Sequence, residues 1–212
     1  MCSSIIKQQL QMLAQPNAQQ LLLDYIKEGN CLCDEAQLKM FEFPNAQELV
    51  CIYVRCRPLC NEAEKLLLYL PYAEELIKYY TQRYSFCRTV QLELFCLPNA
   101  LDLIEFHIKH HVLCDEAEIK MLDLQDVNVL RMYFKNYPLC AGTQMEMLKL
   151  GNAFSLVKMY IRHHYLCREA EIAMLDLPNA QKLVKMYKRR YLMCEEAKEK
   201  LKKIKKTKRF CF

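Results

Sequence analysis

"LCDEAEIKMLDL", Leu113–Leu124, and "LCREAEIAMLDLPNA", Leu166–Ala180, are near copies of one another. A cysteine returning with the same neighbours is a metal ligand, a redox centre or a packing residue. Following it along the chain decides the fold. The equivalent cysteines are Cys33, Cys60, Cys87, Cys114, Cys140, Cys167 and Cys194, at steps of 27, 27, 27, 26, 27 and 27 residues. The turns keep the same beat, at Pro44, Pro71, Pro98, Gln125, Gly151 and Pro178, with an earlier copy at Pro16-Asn17-Ala18. One residue is missing at the turn in "LQDVNVL", and this accounts for the short step. A fixed period of this length is the mark of a repeat architecture.

Each unit reads as two helices. The first is short, for example 34–43, and opens with a capping-box pattern: Asp34 with Gln37, Asn61 with Glu64, Asp115 with Glu118. Arg88, Ala141 and Arg168 depart from that pattern. The cysteine then falls one residue before the cap, where an apolar side chain staples onto the first turn. A Pro-Asn turn ends the first helix, because the residue before proline avoids the α region. Asn45, Asn99 and Asn179 suit the N-cap of the second helix. That helix carries Ala46, Leu49, Val50, Tyr53 and Val54 at the spacing of one apolar face, over about 12 residues.

Neither helix can bury its apolar face alone, whereas stacked copies can. The expected fold is all-α, a right-handed α-solenoid of about seven 27-residue hairpins plus a C-terminal capping helix. It resembles the HEAT, armadillo and TPR class of helical-hairpin repeats in architecture, with a shorter period. The predicted organisation is one repeat domain over 1–204 and a basic tail over 205–212. The apolar column Phe41, Leu68, Phe95, Leu122, Leu148, Leu175 becomes Lys202 in the last unit, as a polar terminal cap requires.

Composition supports this reading. Apolar residues make up 53% of 212, too many for a disordered chain, and only 3 Gly and 7 Pro argue against a turn-rich all-β fold. No apolar run approaches the ~20 residues of a membrane-spanning helix. The N-terminus, "MCSSIIKQQLQ", has no secretory pattern. The thirteen cysteines are therefore expected to be reduced, in an intracellular, cytoplasmic protein. Stacked equivalents should lie about 9–10 Å apart, too far to share an ion or a disulfide, so packing is the expected role of the column. "CLC" and "CRCRPLC", with Cys31, Cys51, Cys56 and Cys60, could hold a metal or redox pair but match no zinc-ribbon or CxxC spacing.

His107 and His111 share a helix face and could seed a metal site, yet His107 stands in the column of Tyr53, Tyr80, Tyr133, Tyr160 and Tyr187 and is expected to pack. The tyrosines could stack bases, and core packing with a rim hydroxyl is the expected role. Basic residues (Arg55, Arg57, Arg83, Lys109, Lys135, Arg162, Arg189, Arg190) close the second helices, and acidic residues open the first, as helix dipoles favour. From Lys188 onward there are 11 basic and 3 acidic residues, against 19 and 22 before it, so the basic excess is confined to the C-terminal end.

These features favour a non-catalytic interaction scaffold that binds a protein or peptide. The variable columns at the start of the second helices are the candidate contact: Gln47 and Glu48, Glu74 and Glu75, Leu101 and Asp102, Phe154 and Ser155, Gln181 and Lys182. The alternative is nucleic-acid binding through the helix-end basic residues and Lys202, Lys203, Lys205, Lys206, Lys208 and Arg209. An enzyme is not expected: Gly29, Gly142 and Gly151 form no phosphate loop, and no P-loop, zincin or nucleophile-elbow motif occurs. No cofactor is implied.

Overall fold

The structure, a computed structural model, describes residues 3–71 and 73–209, without the side chains of Ser3 and residues 205–209. Among the described residues there are fifteen α-helices and no strand. They fall into two compact units, Met1–Val112 and Leu113–Phe212.

The first unit contains α1 (Ser3–Leu13), α2 (Ala18–Lys27), α3 (Asp34–Met40), α4 (Ala46–Tyr53), α5 (Asn61–Leu67), α6 (Ala73–Thr81), α7 (Arg88–Leu94) and α8 (Ala100–Ile108). Consecutive helices pair as hairpins, α1 with α2 through to α7 with α8. The first helices α1, α3, α5 and α7 pack on one another in order, and so do the second helices α2 with α4 and α6 with α8. The second unit contains α9 (Asp115–Leu124), α10 (Val127–Asn136), α11 (Ala141–Lys149), α12 (Ala153–Tyr160), α13 (Arg168–Met174), α14 (Ala180–Tyr187) and α15 (Glu195–Arg209). Here α9, α11, α13 and α15 form the row of first helices, and α10, α12 and α14 the row of second helices. Within each unit neighbouring helices thus pack in sequence order, as a helical repeat does.

Three columns build the core. Ala36, Ala63, Ala117, Ala170 and Ala197 are inaccessible, and their small side chains let successive first helices approach closely. Met40, Leu67, Leu94, Met121, Met147 and Met174 fill the space between first and second helices, all fully buried. The second helices contribute pairs such as Leu49-Val50 and Leu156-Val157, followed three residues later by a buried tyrosine. Unbranched and small residues dominate the first helices, which suits segments of only seven residues that depend on packing for stability.

Several local expectations are corrected. The second helices run for 8 to 10 residues rather than about 12, and α3 stops at Met40, not at residue 43. The cysteine is itself the N-cap: its backbone is extended, with φ −69° and ψ 164° at Cys33, and its carbonyl accepts the first helical bond from Gln37 N at 2.9 Å. This one-residue shift dissolves the capping box. Asp34 and Asp115 sit one residue inside their helices, and the Gln or Glu assigned to the box points into the core. The column expected to staple onto cysteine (Leu38, Leu92, Ile119, Met145, Ile172) is only half-buried.

Asn45 and Asn99 do stand at the N-cap of their second helices, as does Asn179, but none of them makes a side-chain capping bond. Asn99 Nδ2 instead donates to Glu74 Oε2 at 2.8 Å. Among the described N-caps the one acidic residue is Asp126, where the missing turn residue forces a tighter join. There α9 runs on to Leu124, Gln125 takes a left-handed conformation (φ 53°), and Asp126 Oδ1 accepts from Asn128 N and Val129 N, both at 2.9 Å.

Candidate functional site

The buried polar groups show which side chains are committed to the frame. A buried Gln or Glu recurs in the first helices from α1 to α13: Gln9, Gln37, Glu64, Gln91, Glu118, Gln144, Glu171. In six of them a side-chain oxygen accepts from the N-cap cysteine amide of the following hairpin. The pairs are Gln9 with Cys33 N at 2.7 Å, Gln37 with Cys60 N at 2.7 Å and Glu64 with Cys87 N at 2.7 Å. In the second unit they are Glu118 with Cys140 N at 2.9 Å, Gln144 with Cys167 N at 2.7 Å and Glu171 with Cys194 N at 3.0 Å. An orphan helix-start donor is thereby satisfied from the neighbouring hairpin rather than from its own helix.

The tyrosine column completes the arrangement. Each ring is fully buried, and its hydroxyl accepts from the amide just before the cysteine: Tyr53 from Leu32 N at 3.4 Å, Tyr80 from Leu59 N at 3.2 Å, Tyr133 from Leu113 N at 3.3 Å, Tyr160 from Leu139 N at 3.2 Å, Tyr187 from Leu166 N at 3.2 Å. The hydroxyls lie inside the fold, not at its rim. At Glu64 and Glu118 the hydroxyl also donates: Tyr80 to Glu64 at 2.7 Å and Tyr133 to Glu118 at 2.8 Å. At Gln37 and Gln144 the amide donates instead, Gln37 to Leu32 O at 3.2 Å and Gln144 to Leu139 O at 2.9 Å. Burial raises these phenols far out of their ordinary range, and pushes Tyr187 up to about 12. They are core residues and offer no open face to a base.

His107 is the exception in the tyrosine column. It is fully buried, stacks on Phe86 (centroids 6.0 Å apart, 13° between planes), and neither ring nitrogen has a hydrogen-bond partner. Burial, and after it the neighbouring His111, lower its pKa to about 4. His111 Nε2 lies 2.6 Å from Thr81 O, so this ring is tied to the backbone. The pair is used for packing and bonding within the first unit.

The cysteines divide by exposure. Burial raises the thiols of Cys33, Cys60, Cys87, Cys140 and Cys194, which keeps them protonated and poorly nucleophilic. Cys31, Cys56 and Cys96 are exposed, and Cys51 is half-buried. Among the described residues, Asp115, Glu118 and Cys140 bring three ligand atoms within 4.8 Å of one another. Both Glu118 oxygens are already occupied by Tyr133 and Cys140 N, and Cys140 Sγ lies 3.1 Å from Thr143 Oγ1 and accepts from Thr143 N at 3.3 Å. The set is explained by the frame. Cys31, Cys51, Cys56 and Cys60 are not part of it.

Much of the basic stripe is also committed. Arg57 Nη2 donates to Gly29 O at 3.1 Å, Arg83 to Arg55 O and Arg190 to Arg162 O, each capping the carbonyl end of the preceding second helix. Lys109 pairs with Glu105 at 3.4 Å.

The variable columns are accessible. In the first unit Glu48, Glu74, Glu75, Leu101 and Asp102 are exposed and Gln47 half-buried, on the first turns of α4, α6 and α8. The Asn99–Glu74 bond holds the start of α8 beside α6. Glu74 also pairs with Lys78 at 2.6 Å, and these two bonds, Lys78 first, lower its pKa. In the second unit Ser155, Gln181 and Lys182 are exposed and Phe154 half-buried, on the packed helices α12 and α14. Lys202 and Lys203 are exposed on α15, and the side chains of Lys205, Lys206, Lys208 and Arg209 lie outside the described residues. No helix of the described residues is long and apolar enough to cross a membrane. Comparison with protein-family models, curated proteins and solved structures finds no match to this chain.

Proposed function

We propose that the chain is a non-catalytic interaction scaffold that binds a protein or peptide through the exposed first turns of its second helices. The observation that supports this reading is a contrast between two sets of columns. Framework positions keep one chemistry, a Gln or Glu oxygen accepting from the next hairpin's cysteine amide and a buried tyrosine hydroxyl accepting from the amide before that cysteine. Accessible positions one step away change freely, from Glu74 and Glu75 to Leu101 and Asp102 in one unit, and from Phe154 and Ser155 to Gln181 and Lys182 in the other. A constant frame with a variable surface suits recognition. The finer architecture belongs to the same proposal: a right-handed solenoid of about seven hairpins with a terminal cap, one domain over 1–204, in the cytoplasm.

Selection of a random peptide library on the full chain, followed by affinity measurement of the enriched peptides, tests this. Glu48→Lys, Glu75→Lys and Lys182→Glu should each weaken a subset of binders about tenfold while thermal unfolding stays unchanged. Binders indifferent to every one of these exposed positions would refute it. A second reading, nucleic-acid binding, draws on exposed Lys202 and Lys203. It requires affinity for an oligonucleotide that falls steeply with salt and disappears on removal of residues 198–212.

A further inference from the structure

The row of second helices in the second unit carries a basic face without counter-charge. α10 packs on α12 and α12 on α14, and none of the three contains an acidic residue. Two columns of cations cross them: Arg131, Lys158 and Lys185, then Lys135, Arg162 and Arg189, all exposed. The two members on each helix are four residues apart and share a face. Among the described residues none of the six has an ion-pair partner. This exposure is not an end effect, because α12 has a neighbour on each side and its Lys158 and Arg162 are open to solvent nonetheless.

A helix dipole explains a cation in a last turn, but not the loss of every acid beside it. In the first unit the same two columns read Cys51 and Arg55, Lys78 and Gln82, Glu105 and Lys109. Lys78 is paired there with Glu74, and Lys109 with Glu105. Glu48, Glu75 and Asp102, one turn earlier, add further negative charge, where the second unit has Asn128, Ser155 and Lys182. Like charges gathered on one face raise its potential and favour an anionic occupant.

The side chains next to the cations select among anions. Met132, Met159 and Met186 follow the first cation on each helix, and all are half-buried. Phe154, also half-buried, is the one accessible ring on the three helices. A nucleic-acid strand stacks its bases on a succession of rings, which this face lacks. Methionines adapt their shape to apolar side chains of a peptide. Equivalent residues on packed helices stand about 9 Å apart. That is the reach of about three residues of extended chain. A carboxylate at every third residue therefore meets one helix after another.

We propose that the exposed face of α10, α12 and α14 binds an extended acidic segment of a partner protein, its carboxylates on the six cations and its apolar side chains on the three methionines. Charge complementarity fixes the register, as in other recognition of acidic motifs by basic clusters. This deepens the scaffold reading by assigning one face and one partner chemistry, and it rests on that reading.

The experiment uses the full chain and three labelled probes: a peptide of repeated Glu-Leu-Ser, the same peptide with Gln for Glu, and an oligouridylate of similar length. Fluorescence anisotropy should show the Glu peptide binding about tenfold more tightly than its Gln counterpart, with the gap closing as salt rises. Lys158→Glu with Arg162→Glu, both on the central helix, should abolish that preference. Lys120→Glu with Lys149→Glu changes the charge equally on the first helices of the same unit and should leave it intact. All four positions are exposed, and an unchanged thermal unfolding curve checks that each variant folds. Equal binding of the two peptides overturns the inference, as does equal loss in both double variants. Tighter binding of the oligouridylate than of the Glu peptide, lost on Lys158→Glu with Arg162→Glu, also overturns it and makes nucleic acid the occupant. If library peptides bind through Glu48 or Glu75 while the Glu peptide does not bind, this face falls and the scaffold reading stands.

Discussion

Glu118 accepts the Tyr133 hydroxyl at 2.8 Å, and both side chains are sealed from solvent. The carboxylate's other oxygen takes the Cys140 amide of the next hairpin, so one side chain ties a second helix to the start of the following first helix. The same junction built on Gln uses a different donor. That difference makes the individual contributions measurable.

Replacing Tyr133 with Phe removes the hydroxyl from two buried partners, Leu113 N and Glu118, and leaves the carboxylate short of a donor. A loss of about 1–3 kcal/mol is expected on urea unfolding, with a similar loss for Tyr80→Phe. Tyr53→Phe should cost less, because Gln37 bonds to Leu32 O without help from the hydroxyl. Equal losses at all three sites would show that the carboxylate does not need its tyrosine.

Burial raises the pKa of Glu171. A carboxyl raised in the folded state contributes its stability fully in acid and loses it as pH climbs through the folded value. Gln, which stands at four other positions of the column, avoids that loss and supplies a donor for Leu166 O. Glu171→Gln is therefore expected to stabilise the chain by about 1 kcal/mol at pH 8 and much less at pH 4, measured by urea unfolding at both.

His107 works in the opposite sense. Its pKa, lowered to about 4, means that protonation favours the unfolded chain. Its contribution is complete above about pH 6.5 and disappears as pH falls toward 4, an effect of about 3 kcal/mol. Phe86 occupies a position that is Leu in most hairpins, and its larger ring fills the space a shorter His leaves. His107→Tyr alone should overpack, at a cost of about 1–3 kcal/mol. Joined with Phe86→Leu it should recover wild-type stability at pH 7 and flatten the melting temperature between pH 6.5 and 4. A double variant as acid-sensitive as the parent would assign the titration elsewhere.

Leu122 is 1% exposed, between first and second helices of the second unit. Leu122→Ala should cost about 2–5 kcal/mol by thermal unfolding. A change below about half a kcal/mol would remove this column from the core, since surface substitutions stay within that range.

The repeat, the alternation of short helices and the identity of the apolar columns were legible from residue order. Burial of Leu49, Val50 and Tyr53 follows from helical spacing, and spacing is a one-dimensional property. The cysteine's 27-residue recurrence marked a fixed place in each hairpin, but that place is the N-cap and not a packing position before it. The Gln/Glu column was visible too, since it is unbroken from Gln37 to Glu171 whereas its supposed capping partner varies from Asp34 to Arg168. That regularity was the signal that its partner is constant, and a backbone amide is the constant partner any cysteine supplies.

What the residue order could not place was the direction of those side chains. One residue in the helix boundary turns Gln37 from a surface cap into a buried bridge, and boundaries are set by which orphan amide finds an acceptor. That acceptor lies 22 to 24 residues away, in an adjoining hairpin. Periodicity alone determined which residues leave water. Only the packing of one hairpin on the next decided which polar groups meet there, because a hydrogen bond needs position and direction in three dimensions and hydrophobic burial needs only a face.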